Sequence, residues 1–81
     1  MKESENMEKN AEYSTEPKNG KYQCACCLNY VFDELHSYDF CPICGWEDDD
    51  VQNDYMDFSG GANEMSIRQA RAAFKAGKPV E

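Results

Sequence analysis

Cys24-Ala25-Cys26-Cys27 and Cys41-Pro42-Ile43-Cys44-Gly45 are two short cysteine turns, and their spacing decides how the chain folds. Pairing Cys24 with Cys27 and Cys41 with Cys44 gives C-x2-C-x13-C-x2-C. Two residues between cysteines let each turn fold back so that both sulfurs face one centre. Two such turns supply four thiolates to a tetrahedral ion, with Zn²⁺ the expected occupant and iron the alternative for the same donors. Pro42 pre-sets one backbone angle of the second turn, and Gly45 can take the positive φ needed just after the second ligand.

Five cysteines suit four ligands and one spare thiol better than paired bridges. Met1-Lys2-Glu3-Ser4-Glu5-Asn6 carries no apolar export segment, and no stretch reaches transmembrane length. The expectation is a cytoplasmic protein, away from membranes, whose thiols stay reduced and favour metal over disulfide.

Size points the same way. An 81-residue chain has room for one domain, and a core that small rarely stabilises a fold unaided. Structural zinc contributes on the order of 10 kcal/mol or more of apparent binding free energy, all of it available to folding. The metal-free chain is therefore expected to be largely unfolded.

The net charge of −8 is unevenly spread. Residues 1–20 carry five acids and three bases, residues 21–60 nine acids and one base, and residues 61–81 two acids and four bases. Four thiolates around a divalent ion add a formal charge of about −2. Nucleic-acid binding needs a basic face, and the central segment is the reverse. Its field would repel nucleic acid and attract a protein with a basic surface.

Along the chain, residues 1–20 are polar and without periodicity, and read as a flexible N-terminal tail. Residues 21–77 form the cysteine-rich domain, and 78–81 a C-terminal tail. Leu28-Asn29-Tyr30-Val31-Phe32 leaves the first turn as a strand, residues 33–37 connect, and Tyr38-Asp39-Phe40 returns to the second turn. Tyr22, Tyr30, Phe32, Tyr38, Phe40 and Trp46 are the expected wrapping of the metal site. Asp48 to Asp57 reads as an acidic, turn-rich loop. Asp48, Asp50 and Asp54 offer oxygens but lack the glycine and glutamate of a calcium loop. Glu47, Asp48, Asp49, Asp50 and Asp54 are the candidate protein-interaction residues. A helix follows, capped by Ser66 with Gln69 three residues on. Ile67, Ala70 and Phe74 lie on its apolar face, Gly77 ends it and Pro79 prevents its resumption. One of its arginines is expected to answer the acids after Trp46.

With these features in order, the chain resembles the small bacterial CPCC cysteine-rich domain family from Tyr22 to about Gly77. The resemblance rests on the two cysteine turns, Trp46-Glu47-Asp48-Asp49, Gly60-Gly61-Ala62-Asn63, and Ser66 followed by Ala70-Arg71 and Phe74. It implies a zinc-ribbon-like domain and no established activity. Ala25 stands where the family's name gives proline, so Cys26 stays open beside Cys24 as the first ligand.

Cys26 and His36 are the remaining chemical groups. An acidic surround disfavours a reactive thiolate at Cys26, and His36 sits in the connection between strands. Four cysteines in two ligand-spaced pairs describe a closed structural site rather than one with an open catalytic position. The reading is a small metal-stabilised α+β fold, a zinc-ribbon-like hairpin with two cysteine knuckles and one C-terminal helix. Its expected role is a non-enzymatic interaction module, such as an inhibitor or immunity-type neutraliser of a basic protein. A rubredoxin-like iron electron carrier is the alternative.

Overall fold

Local hydrogen bonds around the cysteine turns order the first half of the chain. The structure, a computed structural model, describes residues 8–81, so the first seven residues of the expected tail lie outside it. Strand β1 (Tyr22–Gln23) and strand β2 (Tyr30–Phe32) flank the first turn as an antiparallel hairpin. Tyr22 lies opposite Phe32 and Gln23 opposite Tyr30, with a register shift between them. The second turn closes a smaller ladder of its own, in which Phe40 bridges Glu47.

The sequence suggested instead one hairpin between residues 28–32 and 38–40. Left-handed backbone at His36 (φ 55) and Tyr38 (φ 63) turns the chain aside before it can return along β2. Each knuckle therefore carries its own short ladder.

Asp48 to Asp54 is not an open loop. Asp49 caps a one-turn helix, α1 (Asp50–Asp54), by accepting from the amides of Val51 and Gln52. Helix α2 (Ile67–Lys75) starts where the sequence places it, with a capping box in which Ser66 and Gln69 satisfy one another's backbone amides. It ends on Gly77 at φ 74, while the Lys78 amide reaches back 2.8 Å to the Ala73 carbonyl. The hairpin, the C-terminal helix and a four-cysteine cluster make a small α+β fold.

Residues 8–20 are held along the domain, contrary to the expected tail. Asn10 is buried; its amide nitrogen donates to the Asp54 carbonyl at 2.8 Å and its side chain to the Asn53 carbonyl at 2.9 Å. The Met56 amide donates to Glu8, Lys9 bridges Tyr55, and Tyr13 packs against the core. Polar backbone contacts hold this segment, so hydrophobic periodicity carries no trace of it. The last residues also return: Val80 packs on the core and the Glu64 amide donates to the Glu81 carbonyl.

The buried apolar set is Cys24, Ala25, Cys26, Phe32, Cys41, Trp46, Met56, Ile67 and Ala70. Three of these are cysteines, so the core and the sulfur cluster are one object. Of the aromatics expected around it, Phe32 and Trp46 are buried, Tyr22 and Tyr30 are half-buried, and Tyr38 and Phe40 face solvent. Among the described residues, no helix is long and apolar enough to cross a membrane.

Candidate metal centre

The two knuckles repeat one backbone pattern. The Leu28 amide donates to the Cys24 carbonyl at 2.8 Å, as Gly45 does to Cys41 at 2.9 Å. Cys24 in turn donates to Asn29, and Cys41 to Trp46, both at 2.8 Å. The residue after each second cysteine is left-handed: Leu28 at φ 68 and Gly45 at φ 91. Glycine accepts that conformation freely, whereas leucine adopts it at a cost of about 1 kcal/mol or more. The first knuckle is thus the strained copy of the second.

These turns bring the sulfurs of Cys24, Cys27, Cys41 and Cys44 within 4.8 Å of one another. Cys24 Sγ lies 3.6 Å from Cys44 Sγ, and Cys27 Sγ 3.7 Å from Cys41 Sγ. A tetrahedron with metal–sulfur bonds of about 2.3 Å has sulfur–sulfur edges of about 3.8 Å. A disulfide would need about 2.05 Å. The donor set fits a tetrahedral thiophilic ion, and all five cysteines are free of disulfides. The amides of Ile43 and Cys44 point at Cys41 Sγ at 3.3 and 3.5 Å, a polarity suited to a thiolate.

Without a cation, ionisation of one buried sulfur opposes that of its neighbours. Hydrogen bonds from Cys24, Cys26 and Cys41 pull the Cys44 thiol down. Hydrogen bonding to Cys41 and Cys44, then burial, push Cys24 up. A first thiolate is sheltered by its neighbours, and the next ones need a cation.

Cys24, rather than Cys26, completes the four. Cys26 is 3% exposed and shielded from solvent, and the neighbouring Cys44, with burial, pushes its thiol up. His36 stands apart from the cluster; its Nε2 is buried without a hydrogen-bond partner among the described residues.

Arg71 fastens the first knuckle to the rest of the domain. Its Nε and Nη2 donate to the Ala25 carbonyl at 3.2 and 2.7 Å. Nη2 also reaches Asn10 Oδ1 at 2.8 Å, and Nη1 reaches Glu12 at 2.8 Å. The arginine that answers an acid after Trp46 is Arg68, paired with Asp57 and with Glu8.

The candidate interaction acids divide into two groups. Asp48 is 1% exposed and accepts from Asn53 Nδ2 at 2.7 Å and from the Ser37 amide at 3.1 Å. Asp49 is 7% exposed, caps α1 and accepts from the Ala62 amide at 3.0 Å. Both therefore act inside the fold. Glu47 and Asp50 are half-buried, and Asp54 is exposed.

Sequence reasoning missed the polar lock behind these acids. Trp46 Nε1 donates to Asn53 Oδ1 at 2.7 Å. Gln52 Nε2 faces the carbonyls of Phe58, Asn63 and Met65. Asn63 pairs with both backbone groups of Glu47 at 2.9 Å. Gly61 lies so close that a Cβ there would stand 2.8 Å from Asp49 Oδ2 and 2.9 Å from Gln52 Cδ. A signal was present: Asp49 with Gln52 three residues on is the spacing of a helix start.

The family model described as Cysteine-rich CPCC matches residues 22–77. No match is found among curated proteins. The chain belongs to the cysteine-rich CPCC family.

Proposed function

We propose that this CPCC-family chain is a zinc-held, non-enzymatic interaction module whose acidic second-knuckle lobe docks a basic protein. The observation that carries the reading is a set of apolar side chains left in solvent amid acids. Phe40 is 69% exposed, with Ile43, Tyr38 and Val51 also exposed. Phe40 pairs with Glu47, and the Tyr38 hydroxyl reaches Asp50 at 3.3 Å, so aromatic and acidic groups share one lobe. An apolar centre with an acidic rim suits protein recognition, with charge steering the encounter and Phe40 supplying contact area.

Zinc, when bound, cross-links the two knuckles and supplies no open coordination position. The same donors hold iron in rubredoxin-like carriers, and the metal's identity separates the two roles. An inhibitor or immunity-type neutraliser of a basic enzyme is the version that size and charge favour.

The test replaces Glu47, Asp50 and Asp54 by Gln, Asn and Asn, and separately Phe40 by Ser, in metal-loaded protein. Asp48 and Asp49 are spared because the fold uses them. We expect a basic protein to be captured by the parent chain, its association to slow as salt rises, and both variants to lose it while melting like the parent. Capture unchanged by both variants contradicts the lobe as the docking surface.

A further inference from the structure

The apolar stripe of α2 is only partly covered. Ile67 and Ala70 are fully buried, but Phe74, on the same face, remains 38% exposed. It borders a cavity of about 210 Å³, between α2 and the first knuckle, that Cys26, Cys27 and Leu28 also line. A cavity of roughly 150 Å³ holds a benzene ring, so this one has room for a leucine or phenylalanine side chain and part of its backbone. None of these residues belongs to the acidic lobe.

Three charged residues complete the lining: Glu12, Arg71 and Lys75. Arg71 and Glu12 are paired with each other, and the remaining guanidinium donors face Ala25, Asn10 and the Met56 sulfur. Lys75 takes part in no ion pair among the described residues. Beside the Cys27 ligand, the hollow therefore offers the apolar walls of Cys26, Leu28 and Phe74 and, in Lys75, one cation without an ion pair among the described residues, in a chain rich in acids.

We propose that this hollow binds the C-terminal residue of a partner polypeptide, with a leucine- or phenylalanine-sized side chain against Leu28 and Phe74 and the terminal carboxylate on Lys75. The two features belong together on a chain end, which places an apolar side chain and a backbone carboxylate on the same residue. An internal apolar residue would leave Lys75 unanswered, and a free inorganic anion would leave the walls uncovered.

The test uses the full, metal-loaded, isotope-labelled chain and three small probes: N-acetyl-leucine, N-acetyl-leucinamide and N-acetylglycine. With N-acetyl-leucine we expect saturable shifts of the Leu28, Phe74 and Lys75 amide resonances. The amide, lacking the charge, and the glycine probe, lacking the side chain, should each bind at least about threefold more weakly, the scale of one exposed ion pair. Lys75→Gln should bring the acid down to the level of the amide, and Phe74→Ala, at an exposed position, should weaken acid and amide alike. Absence of saturable shifts overturns the proposal, as does equal binding of acid and amide or indifference to Lys75→Gln in a variant that keeps the parent's spectrum elsewhere.

Discussion

Removal of the metal is expected to unfold the domain. A chelator strong enough to strip the site should abolish the cooperative melt and most of the helical signal of α2, and restoring zinc should bring both back. The elements are too short to stand alone: β1 has 2 residues, β2 has 3, α1 has 5 and α2 has 9. Isolated helices below about 12 residues are marginal in water. Cys24 and Cys41 sit in the buried core, so the metal-free molecule would have to close its centre around thiols that push one another's protonation apart. The ion's contribution, on the order of 10 kcal/mol, is as large as the whole stability of a typical domain. Cys41→Ser should have nearly the same effect as chelation, because the three remaining sulfurs no longer close the tetrahedron. A chelated sample that melts cooperatively contradicts this.

Asn63→Ala is the largest effect expected away from the sulfurs. Asn63 is 3% exposed, and its side chain satisfies the Glu47 amide, the Glu47 carbonyl and Gln52 Oε1 at 2.9 to 3.0 Å. Truncation strands the two Glu47 groups, at about 1–3 kcal/mol for each that water cannot reach, while Gln52 Oε1 keeps the Asn63 backbone amide at 2.9 Å; the loss is about 3 kcal/mol in all. With folding and metal binding coupled, as the chelation experiment is expected to show, the loss should appear as zinc affinity lowered roughly 100-fold. Glu64→Ala, at the exposed neighbouring side chain, should stay within about 0.5 kcal/mol of the parent. A competition titration against a chelator of known affinity reads both. Equal affinities for Asn63→Ala and the parent would place the polar lock outside the folding unit.

What could be read from the chain divides by the kind of force involved. The cysteine spacing and the capped, periodic stretch from Ser66 to Gly77 lead directly to the knuckles and α2, because each is specified within a few neighbouring residues. Asp48 and Asp49 carry a surface pattern in the sequence, because two adjacent acids ordinarily seek water. Their burial depends on partners far along the chain, Asn53 and Ser37 for one and Ala62 for the other, which no local pattern announces. The same holds for residues 8–20: Asn10 is held by Asp54, Asn53 and Arg71, and none of these contacts leaves an apolar mark on the sequence. Phe74 shows a further limit, since periodicity assigns a residue to a face but not to a neighbour that covers it.

A native mass spectrum of the chain, purified without added metal, tests the central claim most directly. The account predicts one colourless zinc ion per chain, with a mass showing that thiol protons have been displaced by the ion. A folded chain carrying no metal, or one lighter by the four hydrogens of two disulfides, would contradict it. A single iron ion with a red, reducible chromophore would keep the four-sulfur site and replace the interaction role with electron transfer.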